Sequence, residues 1–423
     1  MIRTDSPLRG ILPRRIAPSM PTSPFKRRAL TSLISTLVVV VLVDLCFSIF
    51  VIKDGMVDGF PLPPFGAITH VPRQTEFLKT VEAAESNRDS IGGFDQHLGW
   101  TYRPNKSKSD GSAHTNSLAA RGRREYPAQP PAAVKRILAF GDSFIWCEEV
   151  SDHQTWEHIY EKVIPTSEVI NFGVGGYGTG QAFLRYQEVG RELGADVVVI
   201  GLLLENIGRN VNCYRPMWSL TSSLTRTKPR FQLNGDELVL IPQPFETEAE
   251  QLRAVRDESV LDVVAEHEYW RGPIVPTGRA SSLMRLAVGW FAYKARQPHT
   301  LWLAPEKEPY RVSVVILEQF HQMAMNDGAS IAPVLIFPAR EDLESIANGE
   351  DRYWKNLIAD LEARGIPVLD LSIPLLERFQ ELAAQKMQHQ MFSGYHLSFE
   401  SNRIVAKELA QFIEHQNQLP NND

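Results

Sequence analysis

Ile137-Leu138-Ala139-Phe140-Gly141-Asp142-Ser143-Phe144 is the stretch on which the reading of this chain turns. An apolar run that stops at a glycine, with a serine two residues later, describes a buried strand turning sharply into the start of a helix. The alternation continues downstream. Apolar runs over 136–140, 167–172 and 196–202 are separated by helical patterns near 153–164 and 180–193. After a gap it resumes with a helix near 310–327, a strand over 331–337, helices to 364, a strand over 366–370 and a last helix from about 399. Strands separated by helices predict a parallel sheet covered on both faces.

The gap, at about 214–309, is too long for a bare loop and reads as an insertion. Within it, Phe231-Gln232-Leu233 and Leu238-Val239-Leu240-Ile241 flank Asn234-Gly235-Asp236, a hairpin signal. Residues 246–269 read as one acidic amphipathic helix.

With 423 residues, 43% of them hydrophobic and 22% charged, the chain can bury one large core and carry further layers. A net charge of −6 gives no global attraction to nucleic acid, and no such partner is expected. Basic residues cluster only at the N-terminus, as Arg3, Arg9, Arg14, Arg15, Lys26, Arg27 and Arg28. They end where Ala29 to Ile52 begins, 24 residues with Asp44 as the only charge. A central Asp costs roughly 2.5 to 3.5 kcal/mol in a bilayer, whereas each Leu, Ile, Val or Phe returns about 0.3 to 0.6, and the run holds more than a dozen of these. The apolar side wins. Residues 29–52 are expected to form an uncleaved membrane anchor, with the basic tail 1–28 in the cytoplasm and everything after it across the membrane, periplasmic or extracellular in a bacterial cell. Residues 53–134, rich in Pro, Gly and Ser, read as linker and lead-in, and 135–418 as the main domain.

Four loops are expected at the C-terminal ends of parallel strands, the edge where open α/β sheets place their sites. They carry Ser143, the run Gly173-Val174-Gly175-Gly176, Asn206 and, about 250 residues beyond the serine, His396. A serine attacks a carbonyl only if a base takes its proton and fixed donors meet the developing oxyanion. Glycine lets a backbone amide approach closely, asparagine supplies a side-chain donor, and the Ser143 amide at a helix start supplies another. His396 precedes Ser398 and an amphipathic run with Val405, Leu409 and Phe412, so it sits at a helix entrance. Asp142 is expected to bind loop amides, and Arg121-Gly122-Arg123-Arg124-Glu125 to form a solvated loop. His153, His158 and His321 form no metal-ligand pattern, and no metal or cofactor is expected. Cys147 and Cys213, placed on one rim, are candidates for a disulfide or two buried thiols.

These blocks resemble the SGNH or GDSL-type hydrolases. Gly141-Asp142-Ser143-Phe144 is similar to the family's first block, Asn171-Phe172-Gly173-Val174-Gly175-Gly176 to the second, Leu204-Glu205-Asn206-Ile207 to the third and Ser393-Gly394-Tyr395-His396 to the last. The likeness spans about 135–416, and Leu98-Gly99-Trp100 with Thr115-Asn116-Ser117-Leu118 resemble the lead-in of membrane-anchored bacterial members. It implies Ser143 as nucleophile, His396 as general base, and Gly176 and Asn206 as oxyanion-hole donors. Two positions depart from the pattern. Ile207 stands where the third block has Asp, and Ser393 where the last block has the Asp that orients the histidine. A hydroxyl can hold an imidazole's tautomer but cannot stabilise imidazolium, so Ser393, Glu205 and Asp370 are the candidates for orienting His396.

The expected architecture is a flavodoxin-like, three-layer α/β/α parallel sheet behind an N-terminal transmembrane helix. The expected activity is acyl-serine cleavage of an O-acyl ester, on a small molecule or on cell-envelope or exported polysaccharide. A polysaccharide O-acyltransferase using the same site, or a non-catalytic carbohydrate-binding or assembly protein on the same fold, are the alternatives.

Overall fold

The computed structural model describes residues 24–52 and 90–418 except 220, 221, 223 and 271–280, together with the short pieces 56–57, 60–61, 78–79 and 82–83. The tail residues Arg3, Arg9, Arg14 and Arg15, and most of the proline-rich linker, lie outside the described residues.

The chain begins with α1 (Pro24–Cys46), which continues as a π-helical turn over Phe47–Val51. The 27-residue stretch Phe25–Val51 is long and apolar enough to cross a membrane, and none of its side chains is buried. A lead-in hairpin follows, β1 (Gly92–Asp95) and β2 (Gly99–Tyr102). Then comes the main sheet. Its strands are β3 (Lys135–Phe140), β4 (Ser167–Asn171), β5 (Val197–Leu203), β8 (Val334–Phe337) and β9 (Val368–Asp370), all parallel, in the spatial order β9-β8-β5-β3-β4. The other pairs are antiparallel: the short Met56–Val57 with Phe60–Pro61, β6 (Arg230–Asn234) with β7 (Glu237–Ile241), and β10 (Phe392–Ser393) with β11 (His396–Leu397).

Alternation within the strands explains the three layers. Leu138, Phe140, Val198, Ile200, Val334 and Ile336 face a core closed by α4 (Thr179–Arg185), α8 (Glu308–Asn326) and α10 (Lys355–Ala363). Their neighbours Ile137, Ala139, Val197, Val199, Leu335 and Phe337 face a second core closed by α3 (Trp156–Val163), α9 (Arg340–Ala347), α11 (Ser372–Ala383) and α12 (Phe399–Gln418). Side chains one residue apart point to opposite faces, so a strand apolar at every position must be buried on both. Each fully buried aliphatic side chain contributes about 1.5 to 3 kcal/mol.

Taken in chain order, the five strands lie 2-1-3-4-5. In this order the connection direction reverses between the first and third strands, here β3 and β5, and the crevice at their C-terminal ends is where ligands bind in open α/β sheets. Ser143 leaves β3 there, and Asn206 leaves β5. The strand order is the flavodoxin-like one, and with helices on both faces the sheet forms the expected three-layer α/β/α architecture.

The boundaries differ locally for stated reasons. The expected strand 331–337 pairs fully only over Val334–Phe337, because Pro333 has no N–H to give the ladder, although its carbonyl still accepts from Ile200 N. Gly235 takes φ +65° in the hairpin turn, as the Asn-Gly-Asp signal requires. The single helix expected over 246–269 is instead two, α6 (Glu248–Arg256) and a short turn Val260–Val263. Asp257 Oδ1 accepts from Ser259 N and Oγ, and Glu258 takes φ +65°, a conformation no helix interior tolerates.

Gly201 interrupts the aliphatic run of β5. A Cβ there would overlap Ile145 of α2 (Ser143–Trp146), and one at Gly141 would meet the same side chain. The two glycines make a notch into which the Ser143 turn is keyed. Gly201→Ala is expected to cost about 1 to 3 kcal/mol by overpacking, measured by urea denaturation of the detergent-solubilised chain. Combined with Ile145→Ala it should cost less than the sum of the two single changes; additive costs would refute the notch.

Candidate active site

Asp142 is the N-cap of α2, extended at φ −99°, ψ −151°, with Oδ1 accepting from Phe144 N at 2.9 Å. This makes Ser143 the first helical residue, on a one-turn helix that ends at Cys147 with φ +58°. The glycine loop lies against this turn. Val174 N donates to Gly141 O at 3.1 Å, Gly173 N to Asn171 Oδ1 at 2.9 Å, and a Cβ on Gly173 would run into Asp142 O and the backbone of Ile145.

Arg209, on α5 (Asn206–Asn210), binds all three loops with one guanidinium. Its Nη1 donates to Asp142 Oδ2 (2.9 Å), Tyr177 O (3.0 Å) and Asn206 Oδ1 (3.2 Å), and its Nη2 to Glu205 Oε2 (2.6 Å). A guanidinium can only donate, so it fixes the Asn206 amide with its oxygen toward Arg209 and its NH₂ turned away. Asn206 is buried, whereas the Glu205 side chain is 43% exposed and tied to Arg209. Ile207 points into the core beneath. Burial pushes the Asp142 carboxyl up, and Arg209, the Phe144 amide and His396 oppose that rise. Among the described residues the Ser143 amide, the Gly176 amide and Asn206 Nδ2 have no hydrogen-bond acceptor. Gly176 itself takes φ +80°, open to glycine without strain.

His396 reaches this rim on the β10–β11 hairpin, where Ser393 pairs with His396 across the turn Gly394-Tyr395. Its ring packs on Phe144, centroids 5.2 Å apart, so the imidazole lies against the residue next to Ser143. The Ser143 Oγ and His396 Nε2 make no hydrogen bond to each other in this conformation.

The group that orients His396 is Glu149. Its Oε2 accepts from Tyr395 N at 2.9 Å and His396 N at 3.3 Å, and lies 3.1 Å from His396 Nδ1. A carboxylate only accepts, so Nδ1 carries the proton and Nε2 keeps its lone pair. A Cβ at Gly394 would overlap the Glu149 carboxylate, and Gly394 has φ +57°. None of the three sequence candidates contacts the ring. Ser393 Oγ donates instead to Glu149 O at 3.2 Å. Glu205 is neutralised by Arg209. Asp370 accepts from Arg352 Nη1 (2.6 Å), Trp354 Nε1 (3.1 Å) and Ser372 N (3.0 Å), three strands from β3, which is about 14 Å at 4.8 Å per strand.

Arg121, expected in a solvated loop, is buried and holds the segment that carries Glu149. Its guanidinium donates to Trp146 O, to Cys147 O at 3.0 Å and to Val150 O at 2.6 Å, its Nε to Asp152 Oδ1 at 3.1 Å, and it stacks on the Trp146 ring. Cys147 and Glu149 both have positive φ, +58° and +70°, in a segment whose carbonyls at 146, 147 and 150 are held by Arg121 and whose carbonyl at 149 is held by Ser393 Oγ. The lead-in hairpin covers the other side: Trp100 Nε1 donates to Gly175 O at 2.9 Å, Gly175 N to Tyr102 OH at 3.2 Å, and Tyr177 OH to Trp100 O at 2.7 Å. The cysteines do not pair. Cys147 Sγ faces Glu157 and Asn402, Cys213 Sγ donates to His267 O, and burial pushes both thiols up, Cys213 to about 12.

Among solved structures, the chain is similar to a lipolytic protein of the G-D-S-L family from Desulfitobacterium hafniense (12% identity, TM-score 0.32, 66% of this chain and 99% of that one). It is also similar to a member of the lipolytic protein G-D-S-L family from Veillonella parvula (13%, TM-score 0.33, 68% and 100%) and to a lipase/acylhydrolase from Enterococcus faecalis (13%, TM-score 0.31, 69% and 100%). No protein-family model and no curated protein matches the chain. At such identities, residue roles rest on this chain's own geometry.

Two outcomes follow from the site. Ser393→Asp should not raise ester hydrolysis, because Glu149 already holds Nδ1 and a second carboxylate would face it; a gain in turnover would mean Glu149 does not serve His396. Glu157, buried beneath the turn and accepting from Asn171 Nδ2 at 2.9 Å, is pushed by burial to about 7. The folded state then holds a proton the unfolded state has lost, so the stability due to this group is full below about 4.5 and declines up to about 7, by about 3 kcal/mol. Glu157→Gln should remove that decline, read as the midpoint of urea denaturation across this pH window.

Proposed function

We propose that this chain is a membrane-tethered serine esterase that cleaves an O-acyl ester through an acyl-serine intermediate, on the side of the membrane opposite its basic N-terminal tail. The observation that carries the reading is the Glu149 carboxylate on His396 Nδ1, with the imidazole packed on the residue that follows Ser143. It supplies the charge that Ser393 lacks, and without such a charge a non-catalytic binding protein would be the better reading.

In this mechanism Glu149 fixes the His396 tautomer, leaving Nε2 to take the Ser143 proton as Oγ attacks the acyl carbonyl. The oxyanion is met by the Ser143 and Gly176 amides and Asn206 Nδ2, donors set before the reaction starts and therefore costing no reorganisation during it. Arg209 acts one step removed, by holding the Asn206 amide in the donating orientation. The imidazolium returns its proton to the leaving alcohol, and a water activated by the same nitrogen releases the acid. None of these steps calls for a metal or a nucleotide. The outward-facing tether favours O-acyl groups on cell-envelope or exported polysaccharide as substrates.

A fluorophosphonate should label Ser143 in the intact chain, and neither Ser143→Ala nor His396→Ala should be labelled. Glu149→Gln should lower turnover of a short-chain aryl ester by up to about 10⁴-fold, the loss when the triad aspartate of a serine protease becomes Asn. Labelling that persists in His396→Ala would refute the mechanism. Adding an acceptor glycan separates hydrolysis from transfer: free acid as the main product supports the esterase, and acylated glycan the acyltransferase.

A further inference from the structure

The one charge in the apolar N-terminal stretch has a partner. Asp44 lies seven residues before Val51, about 10 Å from the end of the span at 1.5 Å per residue, deep enough for an unpartnered carboxylate to be costly. Its Oδ1 accepts from Ser281 Oγ at 2.9 Å and from Leu283 N at 2.8 Å. These groups form the N-terminus of α7 (Ser282–Arg296), whose N-cap Ser281 also accepts from Met284 N at 3.2 Å. The carboxylate therefore satisfies an otherwise orphaned helix amide and faces the positive end of the helix dipole.

The helix itself is unusual for a soluble domain. From Ser282 to Tyr293 its only charge is Arg285, yet one apolar face is uncovered: Phe291 is 72% exposed and Trp290 57%, and Met284 and Tyr293 are exposed too. It packs against α1 and the π-helical turn, and returns to the domain at Arg296, which donates to Met217 O and Trp270 O. An apolar face of this size in water would be a liability. The order of residues along it matches a bilayer instead. Leu283, Met284, Leu286, Ala287 and Val288 lie at the Asp44 end, with the half-buried Arg285 among them one turn from the Asp44 cap, whereas Trp290, Tyr293 and Lys294 lie toward the domain, Lys294 Nζ sitting 4.7 Å over the Trp290 ring. Trp, Tyr and Lys are the residues that mark the membrane–water boundary.

We infer that α7 is a lipid-immersed helix that dips beside α1 into the leaflet nearest the catalytic domain, capped at its inner end by Asp44. The occupant of its exposed face is lipid: the face is continuous with the apolar surface of α1, and its deep half lies at the level of a residue within the span. This rests on α1 crossing the bilayer, as proposed above. The insertion is then held at two points. Arg296 fixes α7 to the domain, and Arg215 of the same insertion donates to Gly176 O at 3.5 Å, so the height of the glycine loop above the membrane is set by α7.

The test uses the full chain carrying Cys46→Ala, reconstituted in phosphatidylcholine–phosphatidylglycerol vesicles, with nitroxide labels placed one at a time through Ala287→Cys, Phe291→Cys, Val40→Cys and Asp236→Cys. Labels at 287 and 40 should collide several-fold more with oxygen than with a water-soluble nickel chelate, the label at 291, at the boundary between Trp290 and Tyr293, should still favour oxygen but by less, and the label at 236, on the exposed hairpin turn, should do the reverse. If 40 is immersed but 287 and 291 behave like 236, the inference fails while the anchor stands. If 40 is also nickel-accessible, both fail. Spin–spin broadening at 291 would show a second copy on this face and would overturn the lipid assignment. Adding Asp44→Leu should raise nickel access at 287 several-fold; unchanged access would refute the cap.

Discussion

The Arg209 guanidinium is the constraint on which the site depends. Strand order brings the ends of β3 and β5 together, but a crevice between two strands is only a place. What aligns its contents is a planar cation that can donate in several directions at once and accept in none. Asp142, Tyr177, Asn206 and Glu205 come from three separate loops, and each gives it an oxygen. The cost of burying this charge is met by two carboxylates, and removing either would leave it under-compensated in a dry crevice. The same contacts decide which end of the Asn206 amide faces the reaction. A network with no spare acceptor tolerates one arrangement.

Much of this was legible in the chain order. The strands β3, β4 and β5 could be read because they are apolar at nearly every position, and their succession with helices implied parallel packing. Ser143, Gly176, Asn206 and His396 could be placed on one rim because each follows a strand or precedes a helix in the pattern. Glu149 could not. Its role depends on the chain turning back after one helical turn, through two residues in the left-handed region, and neither Cys147 nor Glu149 belongs to a residue type that announces that conformation. Arg121 escaped for a related reason: in a run of charged residues, one buried guanidinium looks like its solvated neighbours until the carbonyls it serves are known. The broken helix at 257–259 is the same failure on a smaller scale, a local Asp–Ser bond overriding an amphipathic pattern.

Strain around the Ser143 turn has a visible source of compensation. A left-handed non-glycine residue costs about 1 to 2 kcal/mol, and two stand within three positions here. Arg121 meets three carbonyls of that segment with charged donors, a type of bond contributing about 1.5 to 3 kcal/mol each, which exceeds the strain. The lead-in residues are thus as much a part of the site as the strand ends. Trp100 and Tyr102 hold Gly175 from one side while Arg121 holds 146–150 from the other, and the glycine loop and nucleophile turn are clamped between them.

Placing the orienting carboxylate at 149 instead of 393 changes which parts of the site move together. A carboxylate on the histidine's own hairpin would travel with the imidazole, leaving the serine to be met by a preassembled pair. Glu149 instead belongs to the serine's segment, six residues on, and the hairpin docks onto it through two backbone amides and a ring nitrogen converging on a single oxygen. Docking and tautomer selection are then one event: the contacts that seat the hairpin also put the proton on Nδ1. The geometry at Gly394 enforces the pairing, because only a residue without a Cβ lets the carboxylate lie beneath the turn. A serine at 393 fits this arrangement, since it gives its hydroxyl to the Glu149 carbonyl and brings no second negative charge to a place where one is already bound.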